Sequence, residues 1–299
     1  MKYSNIAIVA SFFGLWLDSY IATNFQLFFG FFLIFTFGIL HGANDLLLIK
    51  NTNSKKRFSS SLTILAYYLL IVLSGALLFY IIPWFALLLF IVVSSYHFGE
   101  QQWQNLSKNF SRWILIFFRF IYGLFILLLL FYFHQREVLQ IIKNISSVTV
   151  APVYITGLVT SSGAVFLVLS GYIYWKSKQI RKKLLTEIFY LILFSIIFKS
   201  SSLIWGFALY FVLWHSIPSI IDQIKFLHGD YSFKHFVTYC RAAAIYWFIS
   251  IMGITLLYVI FKEEHLFNAL FFSFLAAITF PHAIVITRMF HIKKAIVKN

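Results

Sequence analysis

Four histidines are the residues of this sequence whose type and spacing could do chemistry. Nine histidines are present, and five of them fall in polar loops or at the ends of apolar segments. The other four lie within long apolar segments, where an ionisable side chain is costly and is a functional candidate by default. They are His41, His97, His215 and His282.

These four histidines are predicted to lie at one depth. Their apolar segments (24–48, 83–101, 202–224 and 266–289) all run in the same direction when successive segments alternate. Each histidine lies about 13 to 17 residues from the start of its segment, which at 1.5 Å per residue spreads them over roughly 6 Å. A shared metal site explains this agreement better than four separate hydrogen bonds do.

The chemistry of such a site follows from its donors. Four neutral imidazoles without a thiolate suit iron, zinc, copper or nickel rather than magnesium or calcium. A tetrahedral set would close a zinc site, whereas octahedral iron(II) with four imidazoles keeps two open positions for dioxygen and a substrate. The spacing of the histidines leaves both alternatives open.

The long apolar segments that carry these histidines indicate a membrane protein. Of the 299 residues, 61% are apolar and 11% charged, against about 45–50% and roughly 25% in a soluble domain. Together with a mean hydropathy of +0.88, this excludes a soluble enzyme, a disordered chain and a fibrous one. The single cysteine, Cys240, excludes a disulfide framework and a CxxC site.

The predicted fold is an all-α, polytopic membrane helix bundle that forms a single domain over residues 1–299. A span needs about 20 mostly apolar residues, and about ten segments, or eight to ten, meet that need. They are 4–20, 24–48, 61–82, 83–101, 113–133, 152–175, 185–200, 202–224, 241–261 and 266–289.

Basic residues predict the orientation of this bundle. With ten spans, about 19 of the Lys and Arg residues fall in loops on one side, which is typical of cytoplasmic loops. Both termini are therefore expected in the cytoplasm. The net charge of +15 is explained by topology, and we expect no nucleic-acid partner.

Two acidic residues could support the histidines from one helical turn away. Asp45 is four residues after His41, and Glu100 is three after His97, so each pair would share a helix face. Metal-bound histidines usually donate their second ring N–H to a carboxylate or a carbonyl. Arg119, within a predicted span, could snorkel or pair with one of these acids.

Aromatic residues beside the histidines could line a channel for a long apolar substrate. Tyr96, Trp214 and Phe280 lie next to or near candidate ligands, and their π faces could stabilise a cationic intermediate. Ordinary packing is the alternative for each of them.

The local contexts of the histidines resemble a known family in an ordered set that covers nearly the whole chain. They resemble the Brp/Blh family of membrane-bound β-carotene dioxygenases. The matching strings are His41-Gly42-Ala43-Asn44-Asp45, Tyr96-His97-Phe98-Gly99, Trp214-His215-Ser216 and Pro281-His282.

The resemblance implies iron(II) held by the four histidines and cleavage of the central double bond of β-carotene by O2 to two molecules of all-trans-retinal. It implies a bacterial or archaeal inner membrane and transfer of retinal to a rhodopsin. Some relatives have a further histidine where this chain has Ser219, and we expect His282 to supply the fourth ligand.

Three other classes compete with this reading. A b-type haem redox protein would use histidine pairs from facing helices, and a Soret band would reveal it. A proton-coupled transporter would use buried histidines as relays, but the sequence lacks internal symmetry. A di-iron desaturase needs HxxxH and HxxHH motifs, which are absent from this sequence.

Overall fold

Helices account for all the regular structure in the part of the chain that the computed structural model describes, which comprises residues 3–52, 60–104, 106, 110–260 and 264–296. Two π-helical segments, η1 and η2, interrupt the α-helices. In chain order the elements are α1 Tyr3–Asp18, α2 Thr23–Leu33, η1 Ile34–Gly38, α3 Ile39–Gly42, α4 Asp45–Thr52, α5 Ser61–Ile81, α6 Pro83–Gln102, α7 Arg112–Phe133, α8 Gln135–Ser146, α9 Pro152–Lys176, α10 Lys178–Ser200, α11 Leu203–Tyr210, η2 Phe211–Ser216, α12 Ile217–His228, α13 Phe233–Ile260 and α14 Glu264–Ile296.

Eight helices among the described residues are long and apolar enough to cross a membrane. This confirms the all-α polytopic prediction at the lower end of its range of eight to ten. The predicted spans 4–20 and 185–200 are helical but not among the eight. Helix α1 has only 16 residues, and α10 begins with four basic residues in its first six positions. Without these two spans, alternation of successive spans no longer gives the four histidine segments one direction, so that premise of the depth prediction holds only for the ten-span count.

The eight spans are Thr23–Thr52, Ser61–Ile81, Pro83–Gln102, Arg112–Phe133, Pro152–Lys176, Leu203–His228, Phe233–Ile260 and Leu270–Lys293. Helices satisfy their backbone hydrogen bonds internally, which the hydrocarbon region requires. Several spans expose rows of large apolar side chains, such as Leu69, Leu70, Leu73 and Leu77 on α5. Such rows suit contact with lipid.

The chain divides into two compact units, each built from separate stretches of sequence. Unit 1 comprises Met1–Leu33, Ser94–Gln140 and Thr149–His215, and unit 2 comprises Ile34–Val93, Ile141–Val148 and Ser216–Asn299. The organisation of residues 1–299 as a single domain stays a prediction.

Unit 1 has an aromatic core. Helix α7 packs against α9 and α10, and α11 packs against α2. The ring of Phe118 lies 4.9 Å from that of Trp103, edge to face, and 5.7 Å from that of Phe166, stacked. These buried rings fix α7 and α9 to the carboxyl end of α6.

Unit 2 is organised around α14, which packs against α5 and α4. One apolar cluster joins Leu48 of α4 to Val285, Ile286, Met289 and Phe290 of α14. The α14 helix carries His282, so this cluster places its histidine against the short helices near His41.

Two glycines bring the backbones of α6 and α7 into direct contact within unit 1. A Cβ atom at Gly99 would overlap the backbone oxygen of Arg119, and one at Gly123 would overlap the backbone oxygen of Ser95. Small residues permit close approach of this kind between membrane helices. The contact fixes the turn of α6 that carries His97.

We expect Gly99→Ala and Gly123→Ala to destabilise the protein. Each methyl group would push two backbones apart, and overpacking of a filled interior costs about 1–3 kcal/mol. Thermal unfolding of the purified protein in detergent would measure the loss. Gly157→Ala on α9 is the matched control, because no atom lies within 4 Å of its added Cβ. Equal midpoints for all three variants would contradict the backbone contact.

Candidate metal centre

Three of the four candidate histidines lie where helical geometry is irregular. The π-helical segment η1 ends at Gly38, three residues before His41, and η2 contains His215. Pro281, inside α14, directly precedes His282 and cannot donate a backbone hydrogen bond to the preceding turn. Short π-helical segments are frequent at functional sites, so these local geometries support the choice of histidines.

The first histidine pair, His97 and His215, lies in unit 1. Both side chains are buried, and their ring centroids are 4.8 Å apart at 78°. Phe98 contacts the His215 ring edge to face at 4.6 Å, and Phe211 stacks on the same ring at 5.4 Å. The two rings thus converge inside an aromatic enclosure.

The second pair, His41 and His282, lies in unit 2. The two buried rings are 4.6 Å apart and perpendicular, at 89°. The Nδ1 of His282 lies 2.9 Å from Asp45 Oδ1, and the Nδ1 of His41 lies against the carbonyl oxygen of Gly38. When each Nδ1 donates to its oxygen, each Nε2 carries the lone pair that binds a metal.

A buried hydrogen-bond network holds the backbone of His41 in unit 2. Gln223 Nε2 donates to the His41 carbonyl at 2.8 Å and lies 3.1 Å from Ser219 Oγ. The hydroxyl of Tyr239 donates to Gln223 Oε1 at 2.8 Å, and Asn44 Nδ2 donates to the Tyr239 carbonyl at 2.9 Å. Ser219, at the position where some relatives have histidine, is therefore part of this network.

Asp45 contacts a different histidine from the one its spacing indicated. Helix α3 ends at Gly42 and α4 begins at Asp45, so His41 and Asp45 are not on one continuous α-helix. The turn between them directs one oxygen of Asp45 to His282, while the other accepts a hydrogen bond from Tyr68 at 3.0 Å. Its role in supporting a metal ligand stays a prediction.

Glu100 contacts Arg119 and Tyr96. Its Oε1 lies 3.5 Å from an Arg119 guanidinium nitrogen and accepts a hydrogen bond from the Tyr96 hydroxyl at 3.0 Å. Of the two possibilities for Arg119, snorkelling or pairing with one of the two acids, the structure shows pairing with Glu100. The proposed support of His97 by Glu100 stays a prediction.

The three aromatic candidates have ordinary packing contacts, and their role as tunnel residues stays a prediction. Trp214 Nε1 donates to Ser11 Oγ at 2.9 Å, and its ring packs 4.6 Å from that of Tyr190. Phe280 packs toward α5, where its ring would contact a Cβ added at Gly75. Tyr96 donates to Glu100, as described above.

Sequence reasoning missed Tyr68, Gln101, Gln223 and Tyr239. Gln101 Nε2 donates to the His215 carbonyl at 2.8 Å. It therefore holds the backbone of His215 in the same way that Gln223 holds the backbone of His41. Both glutamines lie in predicted apolar spans, where a polar side chain needs a partner. That signal was available, whereas nothing in the spacing indicated the two tyrosines.

The four buried histidines are a group that could hold a metal ion. Their imidazoles suit iron, zinc, copper or nickel, and the carboxylate and carbonyl oxygens at Nδ1 of His282 and His41 are typical partners of metal-binding histidines. The residues present therefore fit a metal centre.

Comparison with known proteins agrees with this chemistry. The family model for beta-carotene 15,15'-dioxygenase matches residues 32–290, a range that contains all four histidines. No curated protein and no solved structure matches the chain. Since the match covers most of the 299 residues, the chain belongs to the beta-carotene 15,15'-dioxygenase family.

Proposed function

We propose that this protein is an iron(II)-dependent enzyme that cleaves the central double bond of β-carotene with O2, yielding two molecules of all-trans-retinal. The observation that carries the proposal is the set of four buried imidazoles inside the family match. His41, His97, His215 and His282 would be the ligands of one iron ion.

Iron fits the reaction better than the other metals that imidazoles bind. Four imidazoles complete the tetrahedral sphere of a structural zinc site, while octahedral iron(II) with the same ligands keeps two positions open. When bound, iron(II) supplies the redox chemistry for activating dioxygen. A haem group or a proton relay would explain the histidines alone but not the family membership.

The protein's own residues would hold and orient the ligands. Asp45 Oδ1 would accept a hydrogen bond from Nδ1 of His282, 2.9 Å away, and Tyr68 donates to the other carboxylate oxygen. These two contacts would set the orientation of the His282 ring. Gln101 and Gln223 hold the backbone of His215 and His41. Because cleavage of an alkene by dioxygen needs no nucleophile or general base, these positioning contacts are the chief contribution of the side chains.

The substrate would enter from lipid. β-Carotene is an apolar polyene, and the protein exposes broad apolar faces on its spans. Tyr96, Trp214 and Phe280 are proposed to line its path. The protein would reside in a bacterial or archaeal inner membrane with both termini in the cytoplasm, and the retinal would pass to a rhodopsin.

Expression in bacteria that accumulate β-carotene tests the reaction. We expect carotene to disappear and retinal to appear on chromatography of extracted pigments. His97→Ala, His41→Ala, His215→Ala and His282→Ala should each reduce retinal to background, because each removes a proposed iron ligand. Purified wild-type protein should contain about one iron per chain and show no Soret band.

His291→Ala is the matched control, since His291 is exposed on the same helix as His282. Retinal formation by that variant should equal wild type. Unchanged carotene in cells that contain folded, iron-loaded protein would refute the substrate, and apocarotenals of other lengths would refute central cleavage.

Asp45→Asn tests the support of His282. The amide keeps the size of the side chain but loses the carboxylate, and loss of such a partner typically weakens metal binding about 10–100-fold. Metal content after dialysis against graded chelator measures this. Asp222→Asn is the control, because Asp222 is another carboxylate of unit 2 whose ion pair is with Lys293, at 3.1 Å. Equal metal retention by both variants would argue against the role of Asp45.

A further inference from the structure

A buried carboxylate that the proposed reaction does not use lies in unit 1. Glu187 of α10 is 2% exposed, and ionisable residues inside membrane helices commonly mark sites or pathways. Gln102 Nε2 lies 2.8 Å from both oxygens of Glu187, and the Tyr122 hydroxyl donates to Oε2 at 2.8 Å. The carboxylate is thus held by two donors from α6 and α7.

Lys183 extends this group toward the end of α10. It lies one turn before Glu187 and is half-buried. Its Nζ donates to the Gln102 carbonyl at 2.6 Å and lies 4.8 Å from the centroid of the Trp103 ring. The positive charge near Glu187 lowers the cost of keeping that carboxylate ionised.

A small cavity lies beside these donors and against a candidate ligand. Its polar lining consists of Gln101, Gln102, Tyr122, Tyr210, Trp214 and His215. The volume open to a water-sized molecule is about 10 Å³, which is roughly the room that one water molecule requires.

One of the residues that line this cavity has a buried acceptor atom that needs a hydrogen-bond donor. Gln101 is 6% exposed, and its Oε1 has no hydrogen-bond partner among the described residues. Leaving a buried acceptor unsatisfied costs the full desolvation penalty of that group. A ligand that donates a hydrogen bond removes this cost, whereas dioxygen or a hydrocarbon does not.

We propose that this cavity binds one water molecule, which donates to Gln101 Oε1 and lies between His215 and the two donors that hold Glu187. This site rests on the proposed function only for its purpose, which is to keep one ordered water beside the metal centre in an otherwise apolar interior. Its existence depends on the lining residues alone.

Hydroxyl-radical footprinting of the metal-free protein in detergent tests the proposal, because radiolysis of a bound water labels the side chains next to it. We expect Tyr210 and Trp214, both buried, to be labelled several-fold faster than Tyr239 and Trp205. Those two references are also buried, at 1% and 3% exposed against 5% and 8% for Tyr210 and Trp214, and they do not line the cavity. Labelling of Tyr210 and Trp214 at the rates of their references would overturn the proposal.

Gln101→Leu removes the proposed acceptor, and we expect labelling of Tyr210 to fall to the rate of Tyr239. Ile126→Val is the control, since Ile126 lines the cavity with carbon atoms alone and this change should preserve labelling. A folded Gln101→Leu protein with unchanged labelling would also overturn the proposal. If Gln101→Leu does not fold, the labelling rates of Tyr210 and Trp214 relative to their references in the wild-type protein still test the proposal. None of these outcomes depends on metal or turnover, so failure of the water site and failure of the proposed reaction are distinguishable.

Discussion

Polar atoms inside a helix bundle surrounded by lipid must find partners within the protein or in single bound waters, because bulk water is absent and each unsatisfied group costs several kcal/mol. The chain nevertheless buries four imidazoles together with Asp45, Glu100, Arg119 and Glu187. The hydrogen bonds and ion pairs of these buried residues offset this cost. Carboxylates pair with arginine, tyrosine or histidine, and glutamines bind the carbonyls that irregular helices leave exposed.

Irregular helical geometry lies at or next to three of the four histidines. A regular α-helix commits each carbonyl to an amide four residues later, and a π-helical turn changes that register. The carbonyl of His215 lies in such a turn and is bound by Gln101, and the carbonyl of His41 precedes a turn and is bound by Gln223. His97 instead lies in a continuous helix, and backbone contact at Gly99 and Gly123 fixes that helix.

The sequence was enough to predict the helical membrane fold, because span length is a local property. The cost of ionisable groups, also local, singled out the four histidines that form a possible metal-binding group, and their role as ligands stays a prediction. The sequence was not enough to pair Asp45 correctly. Helical spacing predicted that Asp45 lies beside His41. Because the helix breaks between α3 and α4, Asp45 instead contacts His282, which is remote in sequence. Breaks and π-helical turns depend on tertiary packing, so spacing rules that assume regular helices fail at such positions.

The cost of unsatisfied polar atoms makes a single water more consistent with this interior than an open aqueous channel. A channel would expose the aromatic enclosure of His215, built from Phe98 and Phe211, to bulk solvent, and an apolar polyene would then have to displace that solvent. One enclosed water instead satisfies Gln101 while the rings around it stay dry. The polar groups near Glu187 and the apolar surface that would suit β-carotene can therefore coexist in one protein, because the oxygens of Glu187 accept hydrogen bonds from Gln102 and Tyr122 beside them.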